Sequence, residues 1–247
     1  MDYFVVLTPD YDHFWQIELL IESFKLLKMQ DDLVIGFIGN TAPSSAINLL
    51  QHKRKFTFVD QKYPNKIVGI AAALEKRLLS NTFILLHTDM VIVDTFPDTN
   101  CNILFHPHPM PKDIKIDLPK DLNWIGFNGV VKFESVPIKF FQQVALETES
   151  LSSHGSNWPI ALTAWNLITY KHRDILSLIT THLESNLSST TLQPIIHYRN
   201  GLPPHFSKKT HGMQLTGHPY NALLQTNPNL NTDHMRKVIE SYKKAPA

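Results

Sequence analysis

Apolar residues in the first third of the chain form short unbroken runs, separated by stretches with a beat of three to four residues. Phe4-Val5-Val6-Leu7, Leu33-Val34-Ile35-Gly36-Phe37-Ile38 and Phe56-Thr57-Phe58-Val59 each suit a strand buried on both faces. They stop at Thr8-Pro9-Asp10, at Gly39-Asn40 and at Asp60, where proline, glycine and short polar side chains end sheet pairing. From Asp12 to Met29 the residues Ile17, Leu20, Ile21, Phe24 and Leu27 recur at helical spacing, so one face of a helix packs on a sheet. A second helix is expected through Ile47, Leu49 and Leu50, and a third from Lys66 to Leu79 with Asn65 as its cap. Strands alternating with crossover helices predict an α/β fold with a mostly parallel central sheet flanked by helices.

The run Phe83 to Val93 is apolar except at its centre, His87-Thr88-Asp89. Read as one buried strand, it places His87 and Asp89 on the same face and Thr88 on the other. An imidazole nitrogen and a carboxylate oxygen aimed at one point form half of a divalent-cation site. The competing structural reading makes Asp89 a turn cap and His87 a hydrogen-bonded interior residue. In open parallel sheets ligands lie beyond the carboxyl ends of the strands, and those ends here carry Thr8 to Tyr11, Asp60 and the polar triplet.

The second half has a different texture. Pro97, Pro107, Pro109, Pro111 and Pro119 punctuate the span from Phe96 to Leu122, which argues against long helices or central strands there and marks a junction. His106 and His108 alternate with Pro107 and Pro109, a pattern open to metal binding, although an exposed loop is the favoured reading. Trp124 to Phe133 reads as a strand whose glycines allow close approach by a neighbouring strand or a ligand. Ser135 is the expected cap of a helix to Glu149 with Ile138, Phe141, Val144 and Ala145 inward. Further helices are expected from Trp158 to Tyr170, from Arg173 to Leu183 through Ile175, Leu176 and Ile179, and from Thr232 to Lys244. Pro194-Ile195-Ile196-His197 is a short strand opening onto Tyr198-Arg199-Asn200-Gly201 and, later, Lys208-Lys209. Such basic residues suit a phosphate or a solvated surface.

Composition narrows the function classes. In 247 residues, 43% are apolar and 10% aromatic, ample for a core. A formal charge of +1 argues against a protein built to neutralise nucleic-acid phosphates. Cys101 is the single cysteine, which excludes an intrachain disulfide and a cysteine-rich zinc site and fits a reducing compartment. The start has no basic segment leading into a long apolar stretch, and no apolar run reaches membrane-spanning length, so a soluble, cytoplasmic protein is expected. Neither a dinucleotide-type nor a Walker-type glycine loop is present, which removes support for a nicotinamide fold or an ordinary ATPase.

The order of these parts resembles the nucleotide-sugar glycosyltransferases of the GT-A fold, whose aspartate-x-aspartate motif holds a divalent cation against the donor diphosphate. More narrowly, Tyr63-Pro64-Asn65-Lys66, Phe83 to Val93, Trp124 to Phe133 and Ile195-Ile196-His197-Tyr198 with Gly201 resemble segments of the hydroxyproline arabinosyltransferases and peptidyl-serine galactosyltransferases. The resemblance implies a single GT-A-like domain, with a nucleotide-binding half over residues 1–96 and an acceptor and C-terminal half over 97–247. It implies a nucleotide-sugar donor such as a UDP-sugar, an unidentified acceptor, and a divalent cation, manganese, held by His87, Asp89 and His197. Thr8, Asp10, Tyr11 and Asp60 are then candidates for the base and ribose, Lys66 and Lys208 (or Arg199) for the rest of the nucleotide, and Asn128 and Gly129 for the sugar or acceptor.

Two features depart from the pattern. His87 stands where the family motif begins with aspartate, and the family is typically secretory. A neutral histidine removes one negative charge and favours manganese, cobalt or zinc over magnesium. Two other classes fit the same residues: a non-catalytic nucleotide or sugar binding protein, and a nucleotidyltransferase, which would want more acidic ligands. Asp113, Asp117, Glu134, Glu147 and Asp174 are all candidates for an acceptor base, and none stands out.

Overall fold

A computed structural model describes residues 1–7, 17, 20–21, 23–24, 27–29, 32–38, 55–59, 66–110, 112, 114, 116–127, 129–152, 157–185 and 193–197. The expected helices through Ile47 and from Thr232 to Lys244 lie outside these residues.

Contacts divide the chain into two compact units. The first comprises Met1–Pro9, Asp31–Leu86 and Asp98–His182; the second comprises Asp10–Gln30, His87–Pro97 and Leu183–Ala247.

The first unit is built on a seven-stranded sheet. Its strands are β1 (Asp2–Leu7), β2 (Asp32–Ile38), β3 (Lys55–Val59), β4 (Thr82–Leu86), β6 (Ile103–Phe105), β7 (Val131–Glu134) and β8 (Leu178–Thr180), in the order β3-β2-β1-β4-β7-β6-β8. The three apolar runs expected to be strands are β1 to β3, and they pair in parallel with one another and with β4. Only β7 runs against its neighbours. Helix α1 (Lys66–Glu75) packs on β1 to β3, burying Ile70, Ala73 and Leu74. It ends short of Leu79 because Arg77 turns left-handed at φ 54°, with Leu78 N–H donating to Ala73 O and Arg77 N–H to Leu74 O. That pair of bonds satisfies carbonyls a helix end would leave open.

Helices α2 (Ile138–Leu151) and α3 (Asn157–Lys171) pack on each other. The core gathers around an aromatic cluster. Phe83 on β4 and its register partner Phe133 on β7 stack with centroids 5.1 Å apart, and Phe141 of α2 and Trp165 of α3 lie 5.2 and 5.5 Å from Phe133. Asn166 is one of the buried polar residues of this unit. Its side chain accepts from Ile125 N–H at 2.6 Å and donates to Ile125 O and Leu162 O at 3.0 and 2.8 Å.

Several expectations for this unit are overturned. Ile103-Leu104-Phe105 is a buried strand between β7 and β8; it occupies the gap between Pro97 and Pro107, where backbone donors are intact. The segment 173–183 is not helical, because the chain turns after Lys171 and Leu178–Thr180 pairs in parallel with β6. Asn102 and Ser177 set that register: Asn102 N–H donates to Ser177 Oγ at 2.9 Å and Ser177 N–H to Asn102 Oδ1 at 3.0 Å. Ser135 does not cap α2. It adopts φ 54° and its N–H donates to Asn81 O, while Pro137 precedes the helix without a side-chain cap bond. Only the end of 124–133 is a strand, and the close approach at Gly126 is to the chain at His108: a Cβ there would lie 2.8 Å from the His108 backbone nitrogen.

In the second unit, Ile17, Leu20, Ile21, Ser23 and Phe24 are helical and buried, matching the spacing read from sequence. The helix closes at Lys28, φ 51°, with Met29 N–H donating to Phe24 O. Three short strands complete the described part: β5 (Met90–Ile92), β9 (Glu184–Ser185) and β10 (Ile195–His197), in the order β5-β10-β9.

Candidate metal centre

The polar triplet does not sit within one strand. The chain leaves β4 at Leu86, turns at Thr88-Asp89 and enters β5 at Met90, so His87 and Asp89 are brought together by a turn rather than by an extended backbone. His87 N–H donates to the sulfur of Met90 at 3.3 Å, which closes the turn. β5 is apolar and buried throughout, and the N–H of Ile92 donates to Ser23 Oγ at 3.2 Å.

The same small sheet delivers the third side chain. β10 pairs antiparallel with β5 in the register Ile195↔Ile92, Ile196↔Val91 and His197↔Met90, which sets His197 across from the residue after Asp89. Val93 N–H donates to Pro194 O at 2.9 Å, extending the pairing. His197 Nε2 lies 3.2 Å from Asp89 Oδ1, and the rings of His87 and His197 are 5.5 Å apart, inclined at 48°. His87, Asp89 and His197 each offer a ligand atom, all within 4.8 Å of one another.

A fourth residue belongs to this arrangement and was not anticipated. Glu184 Oε2 lies 2.8 Å from Nδ1 of His197, and its side chain is only 5% exposed. His197 is itself buried at 4% exposure. Burial alone favours the neutral ring, but the hydrogen bonds and charges of Asp89 and Glu184 outweigh it and hold the imidazole pKa above its ordinary value. When protonated, the ring can donate from both nitrogens, Nε2 to Asp89 and Nδ1 to Glu184.

Two nitrogens and a carboxylate oxygen form a donor set for borderline divalent metals. The 3.2 Å between Asp89 Oδ1 and His197 Nε2 fits the edge of an octahedron, about 3.0–3.2 Å for bonds of roughly 2.1–2.3 Å. The residues therefore fit a divalent cation, which would take the place of the Nε2 proton.

Thr8, Asp10, Tyr11, Asp60, Asn128, Arg199 and Lys208 lie outside the described residues. Lys66 opens α1, and Gly129 is buried in a bend just before β7.

No protein-family model and no curated protein matches the chain. Among solved structures, the chain is similar to the galactosyltransferase LgtC, crystallised with donor and acceptor sugar analogues. The TM-score is 0.55 at 10% sequence identity, covering 100% of this chain and 98% of that one. The fold is GT-A-like. The chain thus combines a GT-A-like fold, mixed α/β with a central sheet flanked by helices, with side chains able to hold a divalent cation. No helix among the described residues is long and apolar enough to cross a membrane.

Proposed function

We propose that the chain is a glycosyltransferase that moves a sugar from a nucleotide-diphosphate donor, a UDP-sugar, to an acceptor with the help of manganese. The observation that carries this reading is the meeting of His87, Asp89 and His197 within 4.8 Å in a chain of GT-A-like fold. A divalent cation held there would supply positive charge to the diphosphate that departs as the glycosidic bond breaks.

In this reading the chain's own groups bind and orient. Asp89 supplies the anionic ligand, and His87 and His197 supply neutral nitrogens. Lys66 and Lys208, with Arg199, add positive charge towards the nucleotide, and Thr8, Asp10, Tyr11 and Asp60 contact its base and ribose. Asn128 and Gly129 face the sugar or acceptor. Residues 1–96 then form the nucleotide-binding half, and 97–247 the acceptor half. The sequence likeness to hydroxyproline arabinosyltransferases and peptidyl-serine galactosyltransferases favours a hydroxyl acceptor, and the single buried cysteine, Cys101, favours a reducing, cytoplasmic setting.

The test is a thermal-shift screen of nucleotide sugars with and without manganese, followed by turnover of the best binder. A cation-dependent rise in melting temperature together with release of UDP supports the transferase. Binding without turnover of any donor points to a nucleotide or sugar binding protein. Pyrophosphate release from a nucleoside triphosphate points to a nucleotidyltransferase.

A further inference from the structure

We infer that Glu184 is a positioning residue of the cation site: it fixes His197 with Nε2 as the ligand atom and provides the site's second negative charge. The inference rests on the cation-binding reading of His87, Asp89 and His197.

The backbone dictates the contact. β9 and β10 are parallel in the register Ile195↔Glu184 and Ile196↔Ser185. Ile195 N–H donates to Leu183 O at 3.1 Å, and the Ser185 hydroxyl donates to Ile195 O at 3.2 Å, so the two strands are pinned on both sides of Glu184. His197 lies two residues beyond Ile195 and shares its face, which puts the ring within diagonal reach of the Glu184 side chain. The resulting 2.8 Å bond goes to Nδ1. With the Nδ1 proton committed to a carboxylate, the neutral ring has its lone pair on Nε2, the nitrogen that faces Asp89.

Charge leads to the same assignment. Histidine at position 87 leaves Asp89 as the single anion among the three ligands, one charge short of neutralising a dication. Glu184 stands one imidazole away, with its side chain at 5% exposure, where water screens its field weakly. It completes the balance without touching the ion, and it raises the basicity of the ring that does.

The test is calorimetric titration of Mn2+ and Zn2+ into the full-length wild type, Glu184→Gln, Glu184→Leu and Asp89→Ala, with NMR of the His197 ring nitrogens at a pH where the ring is neutral. Glu184→Gln keeps an acceptor for the Nδ1 proton and loses the charge. It is expected to weaken cation binding about 10- to 100-fold while preserving the Nδ1–H signature. Glu184→Leu is expected to weaken binding at least as much and to lose that signature. Wild-type affinity within about twofold in both variants, with an unchanged ring signature, overturns the role of Glu184 while the site itself stands, provided Asp89→Ala abolishes binding. A wild type that takes up neither cation overturns the site reading and the role of Glu184 together.

Discussion

Asp89 Oδ1 and His197 Nε2 approach to 3.2 Å, although one belongs to the turn before β5 and the other ends a strand late in the chain. A single antiparallel register, His197 opposite Met90, produces the contact. The separation suits two states of the same pair: a proton on Nε2 donated to the carboxylate, or a cation ligated by both atoms. Proton and cation therefore compete for one position.

This competition sets opposite pH dependences. Because the folded-state pKa of His197 is raised, its protonation stabilises the fold fully below the unfolded value of about 6.5, and this stabilisation is lost as pH rises through the higher folded value. The melting temperature of the cation-free protein is expected to fall over that window relative to a His197→Gln variant. Cation affinity is expected to rise over the same window as Nε2 gives up its proton. Melting curves of wild type and His197→Gln that stay parallel across the range contradict this account.

His87 tunes which ion is held. Replacing it by aspartate adds a negative charge and a hard oxygen donor, so His87→Asp is expected to tighten Mg2+ and Mn2+ binding by on the order of tenfold and to improve both relative to Zn2+. Competitive titration of the three ions measures the change. Unaltered selectivity would mean that position 87 does not ligate.

Away from the site, Asn166 is a buried polar pin of the first unit. It is 1% exposed and satisfies both backbone groups of Ile125. Asn166→Leu leaves that N–H and C=O buried without their partner and is expected to cost about 2–4 kcal/mol in urea denaturation. A loss below about 0.5 kcal/mol, the range of an ordinary surface change, contradicts the assignment.

Gly126, next in the chain to Ile125, comes close to the backbone of His108. Gly→Ala at an unstrained position commonly stabilises by restricting the unfolded chain, but here a Cβ meets the backbone of His108, which cannot step aside as a flexible side chain does. Gly126→Ala is expected to destabilise by about 1–3 kcal/mol. A neutral or stabilised variant in chemical denaturation rules the close approach out.

The parallel half of the sheet was legible in the sequence because β1, β2 and β3 are unbroken apolar runs ended by proline, glycine or aspartate, a pattern that few other structures accommodate. The meeting of His87 with Asp89 was anticipated for the wrong reason, an extended backbone in place of a turn, since the apolar residues on either side gave no sign that β4 and β5 join different sheets. Residues 173–183 misled through spacing. Ile175 and Ile179 fall at helical intervals with Leu176 and Leu183, yet they are 70% and 40% exposed, and the β-branched run Ile179-Thr180-Thr181 sits on a sheet edge. β6 is too short to show a period among so many prolines. Glu184 was invisible because a lone glutamate carries no local pattern; its partner is set by the register of β9 with β10, which lies beyond sequence periodicity.

The most direct measurement is calorimetric titration of UDP into wild type and Asp89→Ala, each with and without Mn2+. The account predicts that Mn2+ strengthens UDP binding to the wild type by at least about tenfold, a difference of roughly 1.4 kcal/mol, and that Asp89→Ala removes the strengthening. UDP binding that is indifferent to both Mn2+ and Asp89 would contradict it.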